Sequence, residues 1–300
     1  MPEGPEVRIM SDFINTEIGH RRVDRVEKSP MFKTKCDFSV LENKNWKMKS
    51  FARGKEMIIE FTNYDDAEEI HYLKINFAKI GSMLTYNTPE DDEFFDRRAM
   101  VRFYSEGKIY CISDFTRFLI TRWSSEWDTN RSPDVATQHN EWRDLMHEKR
   151  KIEYFKRPIF QLLTDQRFFN GIGNFSRSEI LARTRFSPFT TLHEILSDEI
   201  LRNDFFQTTK DVLNQIHRFG GFQFKHWINP FGKKDLAFNK WVRAYNKPRK
   251  AYFIKDTKGA KFWFIKRWDE EYAEWVGEND ILDPTLLKKI YSKNKQKRWQ

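Results

Sequence analysis

Hydrophobic and polar positions follow different periods in the two halves of this chain. Four apolar residues near the N-terminus are three or four positions apart, the spacing of one helix face: Val7, Met10, Ile14 and Ile18. We expect that helix to end at Gly19. From about residue 22 to 123, short alternating segments separated by turn residues predict a sandwich of antiparallel strands.

The clearest alternation comes directly after an Arg53-Gly54 turn. Every second residue from Lys55 to Phe61 is expected on one strand face: Lys55, Met57, Ile59 and Phe61. The pattern therefore places Lys55 where an inward face meets a loop.

The second half changes to helical spacing after a polar segment that is typical of a linker. The apolar positions that predict helices are Trp142, Leu145, Met146, Ile159, Leu162, Leu163, Ile180, Leu181, Ile195, Leu196, Ile200, Val212, Leu213 and Ile216. Two aromatic segments around Asp256-Thr-Lys-Gly then predict a β-hairpin. The whole pattern indicates an α+β protein with two domains.

Composition narrows the function classes. The 300 residues carry a net charge of +9 with a pI near 9.3, which favours polyanionic partners such as nucleic acid. No apolar run is long enough to span a membrane and the N-terminus lacks a signal-peptide core, so we expect an intracellular protein. Cys36 and Cys111 are too few and too far apart for a disulfide framework or a zinc ribbon, and are expected in the core.

The N-terminus offers candidate chemistry. Removal of the initiator Met1 would expose Pro2 as a secondary amine with Glu3 beside it. Such an amine can attack the anomeric carbon of a sugar and form an iminium, and an adjacent carboxylic acid can protonate the departing group. Because Met-Pro starts are common, this motif requires partners elsewhere in the chain.

A second motif lies between Arg167 and Asn174. Gly171 and Gly173 free the backbone just before a helix that is expected to start at Asn174, an arrangement that can cradle a phosphate. A plain corner between two helices would explain the same residues. Four neighbouring arginines favour DNA: Arg167, Arg177, Arg183 and Arg185.

Three segments in this order resemble the Fpg/Nei family of DNA glycosylase/AP lyases, and specifically its Nei-like 1 type. They are Met-Pro-Glu-Gly-Pro-Glu, Ala52-Arg-Gly-Lys-Glu, and the stretch from Arg157-Pro-Ile through Leu163-Thr-Asp-Gln-Arg-Phe-Phe-Asn-Gly-Ile-Gly-Asn174. The resemblance covers residues 1 to about 270.

The resemblance implies an N-terminal helix with a two-layered β-sandwich, a helix-two-turn-helix domain and a C-terminal hairpin. That hairpin is usually a four-cysteine zinc finger, but here it resembles the zincless finger of the Nei-like 1 branch, so no zinc or other cofactor is expected. The domain boundaries that we predict are 1–128 for the sandwich, 129–140 for the linker, 141–235 for the helix-two-turn-helix domain, 236–270 for the hairpin and 271–300 for a basic tail.

The resemblance also assigns site residues. Pro2 would be the Schiff-base nucleophile and Glu3 the acid, with Glu6 as a supporting carboxylate. Lys55 and Asn174 would hold phosphates beside the lesion. Further contacts with DNA are expected from Arg117, Phe118, Arg177, Lys258 and Lys261.

The chain departs from the family pattern at positions that handle DNA. The hairpin turn carries Ala260 where the family has an arginine, a loss that Lys258 or Lys261 could offset. In one void-filling loop Thr116 replaces the first arginine, and in the other Lys79 replaces the wedge methionine, which leaves Ile80 or Leu84 as candidates.

The expected function is therefore base excision repair by a monomer that acts on damaged DNA, duplex or single-stranded. It would remove oxidised bases, with pyrimidines favoured by the branch, and nick the strand by β,δ-elimination. A second interpretation is a catalytically silent module that only binds damaged DNA. A third, an N-terminal-proline tautomerase, conflicts with the helix after Pro5 and with the chain length.

Overall fold

The computed structural model describes residues 2–77, 81–114, 116, 118–223, 227–247, 249–256, 259–268 and 270. The α-helices of this part are Gly4–Phe13 (α1), Phe95–Arg98 (α2), His139–Lys149 (α3), Ile159–Leu162 (α4), Asn174–Leu181 (α5), Leu192–Ser197 (α6), Glu199–Arg218 (α7) and Phe238–Trp241 (α8). The strands are Arg25–Lys28 (β1), Trp46–Arg53 (β2), Glu56–Asn63 (β3), Ile70–Asn76 (β4), Ser82–Tyr86 (β5), Ala99–Ser105 (β6), Lys108–Ser113 (β7), Ile120–Trp123 (β8), Ala251–Lys255 (β9) and Lys261–Ile265 (β10).

The first half folds into two four-stranded antiparallel sheets, as the alternating pattern predicted. One sheet has the order β2-β3-β4-β8 and the other β1-β6-β7-β5. Met57, Ile59 and Phe61 are fully buried, and Phe61 meets Phe103 of the other sheet at a ring-centroid distance of 6.1 Å. The two inner faces therefore share one core, which α1 also enters through Val7.

The N-terminal helix continues beyond α1 as a π-helical segment, Ile14–Ile18, and Gly19 follows it as predicted. Gly19 keeps a right-handed conformation with φ near −61°. A Cβ at this position would lie 2.9 Å from the carbonyl oxygen of Asn15 and 3.0 Å from that of Met48. Glycine is thus needed here for close packing against β2, and not for a left-handed cap.

The second half forms a separate helical core. Trp142, Ile159 and Leu213 are buried in it, as their spacing predicted, but Ile200 on α7 is 68% exposed. One turn of α7 therefore extends beyond the packed face. The hairpin strands β9 and β10 pair with Lys255 opposite Lys261, and Phe262 stacks on Phe160 of the helical core.

The segment predicted as a linker is largely packed. Ser132, Asp134 and Val135 are buried, and Val135 already belongs to the helical core. Helix α3 begins at His139, two residues before the predicted start of the second domain. Both cysteines are buried and free, as expected, and burial raises the pKa of the Cys111 thiol to about 12.

Candidate active site

A cavity of about 320 Å³ is lined by residues from both halves of the chain. Its wall contains Glu3, Lys55, Asn76, Phe77, Arg131, Thr164, Gln166, Gly173, Asn174, Phe175, Phe222, Tyr245, Asp256 and Ala260. Three residues that the sequence singled out separately, Glu3, Lys55 and Asn174, thus meet at one site. Pro2, which precedes Glu3, is buried.

The Glu3 carboxylate caps a helix other than its own. It accepts hydrogen bonds from the backbone N–H groups of Phe175 (2.8 Å) and Ser176 (2.9 Å) and from the Ser176 hydroxyl. These donors belong to the first turn of α5, where the helix dipole also favours an anion. The sequence indicated an anion at a helix N-terminus, and the structure provides that anion from the protein itself.

Three glycines bring the N-terminus, the β2–β3 turn and the loop before α5 together. The Gly4 N–H donates to the Gly171 carbonyl oxygen at 2.7 Å. Gly171 has φ near +106°, and a Cβ there would lie 3.3 Å from the Cα of Gly54. Because no side chain separates these backbones, Glu3, Lys55 and the start of α5 lie on adjacent chain segments.

Lys55 directly follows Gly54 in the turn between β2 and β3 and is 5% exposed. Burial lowers the pKa of its ammonium group to about 8; the Arg131 charge acts in the same direction and the Glu3 charge opposes both. A lysine in this state can be charged at neutral pH and still lose its proton readily. The position at an inward face beside a loop was predicted correctly.

Glu6 is fully buried behind Glu3. One carboxylate oxygen accepts from the Glu3 N–H and the other from the Phe222 N–H, both at 2.8 Å. Burial raises the pKa of Glu6 to about 8, and the neighbouring Glu3 charge adds to the shift. Glu6 therefore ties the start of α1 to the segment after α7.

Arg177 corrects one prediction. It was expected to contact DNA, but its side chain has no exposed surface. The guanidinium donates to Asn174 Oδ1 (2.9 Å), to the Phe160 carbonyl oxygen (2.9 Å) and to Asp256 Oδ2 (3.0 Å). A buried side chain cannot neutralise a phosphate, so the charge pattern assigned this residue the wrong role.

The remaining residues predicted to contact DNA differ in their exposure to solvent. Phe118 is 53% exposed, and Lys261 is exposed with its ammonium 4.3 Å from the Phe253 ring centroid. Leu84 is half-buried within β5 and pairs with Cys111, so it does not lie on a loop that could enter a duplex, and we withdraw it as a void-filling candidate. The other predicted contacts lie outside the described residues: Lys79, Ile80, Arg117 and Lys258.

Several supporting residues were missed by the sequence analysis. Asp134 accepts a hydrogen bond from the Gly54 N–H, and Asn170 donates to the Ser132 carbonyl oxygen at 3.2 Å. Arg131 reaches Asn170 Oδ1 at 3.4 Å from the cavity wall. The Arg-Ser-Pro-Asp sequence held turn residues that could have suggested an ordered segment, although periodicity gave no such signal.

Among the described residues, no group of three or more His, Cys, Asp or Glu side chains is placed to hold a metal ion. The same part of the chain contains no helix that combines the length and apolar character needed to span a membrane.

Several known proteins resemble this chain along most of its length. A search of models of known protein families found no match. Endonuclease 8-like 1 of Homo sapiens is 29% identical over 294 residues, which cover 88% of this chain and 72% of that protein. A formamidopyrimidine-DNA glycosylase of Rickettsia peacockii (strain Rustic) is 25% identical over 261 residues, which cover 82% of this chain and 89% of that protein.

Solved structures agree on the fold. The Lactococcus lactis Fpg protein in complex with abasic-site DNA superposes with a TM-score of 0.70, at 17% identity over 88% of this chain and 97% of that one. Fpg of Thermus thermophilus gives a TM-score of 0.68, at 18% identity over 89% of this chain and 98% of that one.

The three motifs, the cavity they form, the curated relatives and the shared fold agree with one another. In sequence and in fold the chain resembles proteins of the Fpg/Nei family.

Proposed function

We propose that this protein is a bifunctional DNA glycosylase/AP lyase of base excision repair. The observation that carries the proposal is the convergence of Glu3, Lys55 and Asn174 on one cavity, with the buried Pro2 directly before Glu3 in the chain. The names of the curated relatives, which include DNA glycosylases, support the same reaction class.

In the proposed reaction, the free imino nitrogen of Pro2 attacks C1′ of the damaged nucleotide, the bond from C1′ to the base breaks, and the base departs with the proton that the Pro2 nitrogen gives up. Glu3 protonates the sugar ring oxygen as the C1′–O4′ bond breaks, which leaves an iminium between Pro2 and C1′. The iminium withdraws electrons and permits loss of a C2′ proton, so the 3′ phosphate leaves, followed by the 5′ phosphate in a second elimination. Water then hydrolyses the imine and restores Pro2.

We assign phosphate binding beside the lesion to the same cavity. Lys55 would supply a positive charge, and the amide of Asn174 at the first turn of α5 would donate a hydrogen bond. Glu6 would act indirectly, because both of its oxygens are occupied by backbone N–H groups. These roles follow the family motifs position by position.

We infer that oxidised pyrimidines are better substrates than 8-oxoguanine, from the resemblance to the Nei-like 1 type. The cavity has aromatic walls at Phe77, Phe222 and Tyr245, against which a planar base could stack after extrusion from the duplex. We assign void filling to Phe118, because its ring is exposed and an aromatic ring can stack on the unpaired neighbours of an extruded base.

The hairpin of β9 and β10 follows the helical part of the second domain. We assign the packed hairpin of β9 and β10 as a zincless finger, with stacked aromatic side chains such as Phe262 and Phe264 in place of a metal. Because Ala260 replaces the family arginine, the phosphate grip of this hairpin would fall to Lys261, which is exposed.

A lesion panel in single-turnover conditions tests the proposal. Duplex and single-stranded oligonucleotides carrying thymine glycol, a hydantoin or 8-oxoguanine are incubated with the full chain and with Pro2→Gly. We expect excision and nicking of the pyrimidine and hydantoin lesions by the full chain, and loss of nicking in the variant. Binding without excision of any lesion would instead indicate a silent DNA-binding module.

A further inference from the structure

The buried Arg177 connects two elements that the proposed function treats separately. On one side it holds Asn174 at the start of α5, and on the other it pairs with Asp256 at the end of β9. The ion pair is almost fully enclosed, with side-chain exposures of 0% for Arg177 and 6% for Asp256. Phe262 closes one side, with its ring centroid 5.2 Å from the guanidinium carbon.

The chemistry of the guanidinium dictates how Asn174 is oriented. Arginine has only donors, so it can hold an Asn amide through the oxygen alone. The contact from Arg177 Nη2 to Asn174 Oδ1 therefore turns the NH₂ group of Asn174 away from Arg177. A DNA phosphate accepts hydrogen bonds and requires that NH₂ group, whereas a flipped amide would present an acceptor to another acceptor.

The same ion pair also shapes the hairpin turn. Asp256 accepts a hydrogen bond from Arg177 on Oδ2 and from the Ala260 N–H on Oδ1, the latter at 2.9 Å. Its backbone N–H donates to the Ala260 carbonyl oxygen at 2.9 Å. The turn that lacks the family arginine is thus fixed to α5 through a different arginine.

We propose that Arg177 is a positioning residue for DNA binding: it presents the Asn174 NH₂ group to a backbone phosphate and locks the hairpin turn to α5 through Asp256. This inference rests on the proposed function, because it assumes that Asn174 binds DNA. It differs from a direct phosphate contact, since Arg177 itself stays buried.

Binding experiments on a non-cleavable duplex with a tetrahydrofuran abasic analogue separate these roles. Arg177→Met, Asn174→Ala and the double variant are compared with the unsubstituted full chain over a salt series. We expect Arg177→Met to weaken binding roughly tenfold, and the double variant to be within about twofold of it, because the loss of Arg177 already removes the phosphate contact of Asn174. The slope of log K against log salt stays unchanged, since neither residue releases a counterion.

Arg183 provides a matched control on the same part of the fold. It is half-buried, with a side-chain exposure of 12%, forms an ion pair with Glu179 at 2.6 Å and donates to the Trp241 carbonyl oxygen. These contacts do not include Asn174. Arg183→Met should lower the thermal unfolding midpoint as Arg177→Met does, while its affinity for the abasic duplex changes less than about twofold.

Other results would overturn the inference. A salt slope lowered by about 0.9 in Arg177→Met, and lowered equally when Lys261 is already replaced by Met, would mean that Arg177 neutralises a phosphate directly. Losses that multiply in the double variant would mean that Arg177 and Asn174 act independently. If Arg177→Met does not fold, Asp256→Asn and Arg177→Lys take its place in the comparison of single and double variants. Failure of the unsubstituted chain to bind this duplex would overturn the proposed function, and this inference with it.

Discussion

At the scale of single residues, the Glu3 carboxylate has two separable tasks. It accepts three hydrogen bonds from the first turn of α5, and it lines the cavity in which we propose that a sugar is opened. The first task is structural and the second chemical. A substitution that keeps the shape of the side chain can therefore be tested for base excision and, separately, for the stability of the fold.

Glu3→Gln is expected to reduce base excision at least about 100-fold, because Gln cannot donate the proton of a carboxylic acid. Nicking at a preformed abasic site should be largely spared, since elimination depends on the imine more than on the acid. Rates on the two substrates measure the difference. Equal losses in both activities would contradict this division of labour.

The same substitution should destabilise the fold by roughly 1–3 kcal/mol, because the Gln NH₂ group would face donors of Phe175 or Ser176. Ser176→Ala is the control for stability: it removes the hydroxyl that donates to Glu3 and accepts from the Gly173 N–H, and it leaves the acid in place. It should cost roughly 1–3 kcal/mol by denaturant unfolding and preserve excision.

Lys55 leads to a pH prediction. Its folded pKa is about 8, so the ammonium is charged below that pH and becomes a neutral amine as the pH rises through it. If Lys55 holds a phosphate, kcat/KM should fall above about pH 8, because this parameter reports ionisation in the free protein. Lys55→Met should have low activity without that descending limb.

Lys261→Met is the matched control for the pH experiment. Lys261 is an exposed lysine on the hairpin, so its removal should weaken binding in low salt and leave the descending limb in place. A wild-type profile that stays flat between about pH 7 and about pH 9 would exclude Lys55 as the group responsible.

The burial of Glu6 can be tested through the pH dependence of the free energy of unfolding. Its pKa is raised from an ordinary value of 4.5 to about 8, so between these values the folded state holds a proton that the unfolded state releases. The free energy of unfolding should therefore fall as the pH rises through this window, by up to about 1.4 kcal/mol per pH unit. Denaturant titrations of Glu6→Gln should show a flatter profile; an unchanged slope would assign the effect elsewhere.

At the scale of elements, the site depends on backbone segments that touch without intervening side chains. Gly54 has φ near +56°, and a Cβ on it would lie 2.0 Å from Asn170 Oδ1. Asn170 is fully buried and bonded to Ser132, so it cannot move aside cheaply. Position 54, in the turn that presents Lys55, therefore requires glycine for two reasons: its positive φ, and the lack of room for a Cβ.

Gly54→Ala should destabilise the protein by at least about 3 kcal/mol and abolish activity, because the β2–β3 turn must move away from the loop before α5. Gly107→Ala is the control, since Gly107 also has positive φ, near +73°, but has open space around its Cα. That variant should lose only about 1 kcal/mol and keep its activity. Thermal unfolding would measure both, and similar costs would argue against the close approach.

At the scale of the whole molecule, short-range patterns in the sequence predicted the elements, and three residues that the family motifs single out, Glu3, Lys55 and Asn174, lie at one cavity. The alternation from Lys55 to Phe61 identified β3 and its buried positions Met57, Ile59 and Phe61, although Glu56 and Ile58 on the other face are buried as well. Two aromatic segments around a turn were enough to predict the β9–β10 hairpin. These features depend on neighbours along the chain.

Features that depend on distant segments were not predictable in this way. Arg177 has the same charge as an exposed DNA-binding arginine, and only the position of Asp256, 79 residues later, explains its burial. Ile200 fits the helical period, yet no neighbouring element among the described residues covers it. Asp134 and Asn170 likewise take part in the site only because two distant segments, one before α3 and one before α5, both contact the β2–β3 turn.

The central claim is that the N-terminal imino group bonds covalently to deoxyribose, and borohydride trapping tests it most directly. The full chain is incubated with an abasic-site oligonucleotide and borohydride, and the adduct is mapped by peptide mass spectrometry, with Pro2→Gly as the comparison. The account predicts a stable adduct on Pro2 in protein whose initiator methionine has been removed. Strand nicking with the adduct on Lys55, or with no adduct at all, would contradict it.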